Sequence, residues 1–195
     1  MSRTADLAVL SILWTLCSLP VITLGAASAA LCRTTMNMVL ERGDWNARGF
    51  FRYFRKNFRN ATLLWLVFLL IAVILVADLF ILSGNRAGFA FGLKLVAVLG
   101  LVLWTICAIW SFHLTVMFEN TLRGTLKNAL FLGISWLPRS LLMSAVWLLP
   151  VALAVFWSAV FSRIVILWPV LFWGASSYFC AKLIKKPISP YLEED

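Results

Sequence analysis

Residues 61–83 read ATLLWLVFLLIAVILVADLFILS, with Asp78 as the only charge. Crossing a hydrocarbon core of about 30 Å takes roughly 20 helical residues at 1.5 Å each, so this stretch can span a bilayer. In lipid the backbone must satisfy its own hydrogen bonds, which makes such a span a helix. Four stretches of the same kind flank it. Residues 7–32, 140–162 and 164–181 carry no charge, and 95–118 holds no ionisable side chain of the acid–base type except His113 and Cys107. Apolar residues make up 63% of the chain and charged residues 13%, at a mean hydropathy of +0.94. A water-soluble domain of this composition would expose apolar patches far beyond what water tolerates.

The segments between the spans carry the charge. Thirteen of the seventeen Lys and Arg residues fall in the connection after the first apolar stretch, the connection after the third, and the C-terminal tail. Only Arg3, Arg86, Lys94 and Arg163 fall on the other side. By the positive-inside bias this predicts a multi-pass protein of the plasma membrane with its N-terminus outside and its C-terminus in the cytoplasm. The net charge of +9 is then an orientation signature before it is a nucleic-acid footprint. A cleaved signal peptide is the rival reading of the first stretch, because Ala27-Ser28-Ala29 resembles a cleavage site. Its basic cluster follows the apolar run instead of preceding it, so a retained helix is expected.

Within 7–32, Ala8, Ser11, Thr15, Ser18, Gly25 and Ala29 form a stripe of small and polar residues. Such residues let helices approach closely, so Ser11, Thr15, Ser18, Gly25 and Ala29 are expected to pack inside the bundle, with Pro20 kinking the helix. Residues 41–47 read as a turn around Gly43 and Asp44. At 100° per residue, residues 48–60 divide into two faces. Phe50, Phe51, Tyr53, Phe54 and Phe58 share one, and Arg48, Arg52, Arg55, Lys56 and Arg59 share the other. This predicts a helix lying in the membrane interface, with each cation adding about 1 kcal/mol of attraction to anionic headgroups. Its direct lead into Ala61 favours lipid over nucleic acid as the partner.

A second interfacial helix is expected over 119–132. Leu122-Arg123-x-x-Leu126-Lys127-Asn128-Ala129 repeats Phe54-Arg55-x-x-Phe58-Arg59-Asn60-Ala61. The expected fold is therefore a single all-α domain over 1–195. It is a polytopic bundle of five transmembrane helices and two amphipathic interfacial helices, in which two parallel units follow one leading helix.

Candidate chemistry is sparse. Asp78 and His113 are the ionisable groups within the spans that draw attention by default. Asp78 is expected to face a watery outer mouth or to pair with Arg86 or Lys94. His113 is expected to be a hydrogen-bonded core histidine before a proton relay. Their depths differ by roughly 20 Å at 1.5 Å per residue, so they are not expected to work together. Glu119 stands four residues before Arg123, an ion-pair spacing. Cys17, Cys32, Cys107 and Cys180 lack metal-ligand spacing and read as small buried hydrophobes. With no carboxylate pair in the bundle, no histidine cluster, no nucleophile elbow and no phosphate loop, no enzyme and no cofactor or metal is expected. The tryptophans and phenylalanines are assigned to membrane interfaces.

Three landmarks together resemble one family. They are Leu19-Pro20-Val21-Ile22-Thr23-Leu24-Gly25-Ala26-Ala27-Ser28-Ala29-Ala30-Leu31, the run from Phe54 to Thr62, and Leu126-Lys127-Asn128-Ala129 followed by Leu137-Pro138-Arg139. In these the chain resembles the YesL-like bacterial integral membrane proteins of unknown function. The resemblance implies a Gram-positive-type plasma-membrane protein associated with carbohydrate uptake or sensing, and it brings no catalytic or binding residues. Two function classes follow. The preferred one is a non-enzymatic accessory or scaffold docking on a membrane transporter or sensor. The other is a small transporter or channel between the two repeats, for which Thr105, Ser144, Ser176 and Ser177 offer little polar lining. Nothing in the sequence indicates an oligomeric state.

Overall fold

The computed structural model describes residues 3–83, 88–118, 122–156 and 168–192. All of the regular structure there is helical: α1 (Arg3–Ser18), a 3-10 turn (Val21–Thr23), α2 (Leu24–Leu40), α3 (Ala47–Ser83), α4 (Gly88–Met117), α5 (Leu122–Ser135), α6 (Leu137–Phe156) and α7 (Trp168–Leu192). By length and composition, two helices can cross a membrane, α3 over Ala47–Leu82 and α4 over Gly92–Met117. A third crossing results if the bent pair Arg123–Ser135 and Leu137–Leu149 acts as one. The architecture is thus a helical membrane bundle, and five separate crossings do not emerge from the described residues.

The first apolar stretch departs most from expectation. Residues 7–32 are not one kinked helix. α1 ends at Ser18, the chain turns through Leu19 to Thr23, and α2 runs back alongside. The indole of Trp14 donates to Ser28 Oγ at 3.2 Å, whereas fourteen residues of continuous helix would separate them by about 21 Å. Pro20 has no N–H for the helical ladder, and the residue before a proline is pushed out of helical geometry. Thr23 then closes the turn, its hydroxyl donating to Cys17 O at 2.6 Å and Pro20 O at 2.8 Å. The tip carries Leu19, Val21 and Ile22, all exposed, and the Trp65 indole donates to Val21 O at 2.9 Å. The tip therefore reaches only about the middle of α3.

α2 is the centre of the bundle. It is buried without interruption from Gly25 to Cys32 and again from Thr34 to Met38, and it packs on α1, α3, α4 and α7. Only small residues permit this. A Cβ added at Gly25 would lie 2.5 Å from both Ala61 O and Trp65 Cβ. At the crossing of α1 and α7, a Cβ on Gly174 would collide with Leu7 O, and Ser11 Oγ accepts from the Gly174 amide at 2.8 Å. α2 stops at Glu41, which is left-handed with φ 55°, and Gly43 follows at φ 68°. The turn expected around Gly43 is thus present.

α3 corrects the expected interfacial helix over 48–60, because that segment and the span 61–83 are one helix of 37 residues, roughly 55 Å long. A continuous helix cannot lie flat in the interface along its first half and cross along its second. The two faces are as divided as the sequence indicates, but the aromatic face meets protein. Phe50 is fully buried against Leu10, Trp14, Ala27, Ala30 and Leu31, with Tyr53 and Phe54 packed on the same cluster. Phe51 and Phe58 stay exposed, as do Arg48, Arg52, Arg55, Lys56 and Arg59.

Beyond Trp65, α3 has α4 as its antiparallel companion. The Trp104 indole donates to Phe68 O at 2.9 Å, and Leu75 faces Gly100. The two form an arm whose outside is exposed apolar side chain: Leu70, Val73, Ile74 and Ile81 on α3, Leu95, Val96 and Leu99 on α4.

The second unit bends where the first runs straight. α5 and α6 meet at 105° between Ser135 and Leu137. Pro138 again removes a donor, and Ser140 mends the corner by donating to Gly133 O at 2.9 Å. The eight-residue sequence repeat therefore marks helix in both places without marking the same geometry. Glu119, Arg86, Arg163 and the acidic end of the tail lie outside the described residues, as do the ends of the spans expected over 140–162 and 164–181. The start of the interfacial helix expected over 119–132 lies outside them as well.

Candidate functional site

Burial draws attention to one junction. α1, α2, α4, α6 and α7 meet around a small cavity lined by Trp14, Ser28, Leu31, Cys32, His113, Trp147, Trp173 and Ser177. Its walls are aromatic. Trp14 and Trp173 have ring centroids 4.4 Å apart, and Trp147 meets Trp173 edge-on at 5.4 Å. Polar groups stand out against that lining.

His113 is 2% exposed. Its Nδ1 lies 2.9 Å from Ile109 O one turn back. A carbonyl can only accept, so Nδ1 carries the proton and Nε2 presents a lone pair. That Nε2 is buried and has no hydrogen-bond partner among the described residues. Ser28 Oγ accepts the Trp14 indole. Ser177 Oγ lies 2.9 Å from Thr35 Oγ1, whose own hydrogen goes to Leu31 O at 2.8 Å, so Ser177 is the donor of that pair.

A second polar cluster closes the basic end of the bundle. Arg33 reaches across from α2 to donate to Val116 O at 2.8 Å, with its guanidinium 5.7 Å from the centre of the Tyr53 ring. The Tyr53 hydroxyl accepts from Asn37 Nδ2 at 2.9 Å and Arg52 at 3.2 Å. Arg52 also pairs with Asp44 at 2.8 Å, both well exposed, which fastens the 41–46 turn to α3 without much net stabilisation.

The candidates named from sequence are dispersed. Ser11, Gly25 and Ala29 are buried, while Thr15 and Ser18 are half-buried with hydroxyls bonded to their own helix at 2.9 and 3.0 Å. Asp78 is exposed near the C-terminal end of α3, whereas His113 is near the C-terminal end of the antiparallel α4. The two are at opposite ends of the hairpin and do not form a site. Trp14, Ser28, Trp147 and Trp173 join His113 without having been singled out, together with Cys32, read from sequence as a small hydrophobe, and Ser177, named there only as sparse polar lining. The tryptophans read as interface aromatics, and a serine in an alanine-rich helix reads as packing. Among the described residues no three His, Cys, Asp or Glu side chains gather as metal ligands.

Fold and composition define a helical protein embedded in a membrane by apolar helices. Residues 7–79 match the model of a family described as a protein of unknown function, DUF624. The match takes in α1, α2 and most of α3, and the YesL-like resemblance is consistent with it. No curated protein and no solved structure matches this chain.

Proposed function

We propose that the protein is a non-enzymatic accessory of the bacterial plasma membrane that docks, within the membrane, on a transporter or sensor of a carbohydrate-uptake system. The observation that carries this reading is the contrast between a filled centre and a bare arm. The seam where a solute path would run holds α2, packed on four neighbours, and the cavity beside it is about 10 Å³. The arm formed by 66–83 and 92–105 is the reverse: in the most apolar stretch of α3 only 11% is buried. A surface of that kind suits helix-to-helix association in lipid, where packing and small residues drive contact. One face of α3 there, with Ala72, Val73, Val76 and Ala77, is a shallow, open strip.

The basic end belongs on the cytoplasmic side by the positive-inside bias. An N-terminus outside rested on a single crossing over 7–32. With a hairpin there, the N-terminus returns to the basic end and is cytoplasmic in this reading. Anionic headgroups then face Arg48, Arg52, Arg55, Lys56 and Arg59, and nucleic acid has no part.

Photoreactive residues in place of Val73 and Val96, in native membranes, test the docking role. The expected product is a crosslink to one other membrane protein. Crosslinks to lipid alone at both positions, together with solute flux by the purified protein in liposomes, would overturn the reading in favour of a transporter.

A further inference from the structure

We propose that the cavity at the junction of α1, α2, α4, α6 and α7 binds a single water molecule, which donates to His113 Nε2 and Ser177 Oγ and accepts from Ser28 Oγ. Size comes first. The cavity is about 10 Å³, close to the least that holds one water. Hydrogen-bond arithmetic comes second. His113 Nε2 is a buried lone pair, because Nδ1 holds the ring proton against Ile109 O. Ser177 gives its hydrogen to Thr35, so its lone pairs can only accept; the Cys32 thiol is within hydrogen-bond reach of one, and the other is left for the water. Ser28 takes a hydrogen from Trp14 and keeps its own to give.

The three groups thus offer two acceptors and one donor, and a water supplies two donors and an acceptor. Three hydrogen bonds are the usual complement of a buried water. The site belongs to no single helix: Ser28 is on α2, His113 on α4 and Ser177 on α7, with Trp14 of α1 bonded to Ser28. The water hydrogen-bonds His113 of α4 to the serines of α2 and α7, beside the direct bond between Thr35 and Ser177 that already joins α2 to α7. It also assigns His113 a standing role as a neutral acceptor.

A soft metal ion held between His113 Nε2 and Cys32 Sγ is the competing occupant. It would draw on the same lone pair, since a ligating histidine commonly donates its other N–H to a carbonyl. Among the described residues, however, only those two nitrogen or sulfur side chains besides the indoles line the cavity.

His113 is the single histidine of the chain, so nitrogen-15 labelling of histidine reports one ring. In the full-length protein in lipid nanodiscs, the expected spectrum has a protonated Nδ1, a hydrogen-bonded unprotonated Nε2, and magnetisation transfer from water to the ring. Ser28→Ala and Ser177→Ala should each cut that transfer severalfold while Nδ1 stays protonated. A density map of the wild-type protein that resolves ordered water should show one peak within hydrogen-bond reach of all three side chains, with no variant required. An empty cavity in that map, or transfer unchanged in the Ser28→Ala/Ser177→Ala double variant, would overturn the proposal. So would stoichiometric copper or zinc in the purified protein that is lost with Cys32→Ser.

Discussion

Gly25 and Gly92 are both helical, yet a methyl group at each should act in opposite directions. At Gly25 the new Cβ meets Ala61 O and Trp65 Cβ, neither of which can swing away, so Gly25→Ala should destabilise by about 1–3 kcal/mol as overpacking does. At Gly92 nothing lies within 4 Å, and Gly92→Ala should stabilise by up to about 1 kcal/mol through helix propensity. Thermal unfolding in nanodiscs checks both, and the same sign at the two positions would contradict the packing of α2 on α3. Ser140 carries a different kind of load. Its hydroxyl accepts from the indole of fully buried Trp110 at 2.9 Å and donates to Gly133 O. Ser140→Ala strands that indole and should cost about 1–3 kcal/mol, read as a lower midpoint with faster amide exchange around the α5–α6 corner. The small size of Ser11, Gly25 and Ala29 is legible in the sequence, and all three are buried where Thr15 and Ser18 are only half-buried. The lining of the His113 cavity is not legible there. Trp14, Trp147 and Trp173 carry the same side chain whether they face headgroups or one another, and only tertiary contact separates the two.

At the scale of the element, the apolar runs were legible and the path of the chain between them was not. Hydropathy registers 7–32 as one long stretch, since a helix that kinks at Pro20 and one that reverses there have the same composition. What decides is Phe50, Tyr53 and Phe54, which offer α1 and α2 an apolar face to fold against. The same face explains why 48–60 looked like a surface helix: hydrophobic periodicity reports that a face is buried, not whether lipid or protein buries it. The reversal has a topological consequence. A reporter at the N-terminus and another inserted within 42–46 should lie on the same side of the membrane, both cytoplasmic. Opposite sides would mean that 7–32 crosses once, against the hairpin closed by Trp14 and Ser28.

Across the whole molecule, the distribution of ionisable groups separates the accessory from the transporter. A proton-coupled transporter needs a group that changes charge while facing the solute path. Asp78 is exposed near the end of the arm, and His113 is enclosed at the other end of the same hairpin with its Nδ1 fixed on Ile109 O. Neither placement connects the two sides of the bundle. Asp78→Asn and His113→Gln keep approximate size and hydrogen-bonding capacity while removing the titration. Each should leave growth on the associated carbohydrate near wild type. Substituting the arm should act differently. Val76→Trp with Ala77→Trp reshapes the open strip on α3 without adding charge, so the helix still suits lipid while its contact surface is spoiled. That variant should reach the membrane in normal amount and lose both growth and the crosslinked partner. The reverse pattern, with growth lost in Asp78→Asn or His113→Gln at normal abundance and kept in the arm variant, would place function inside the bundle and make the protein a transporter.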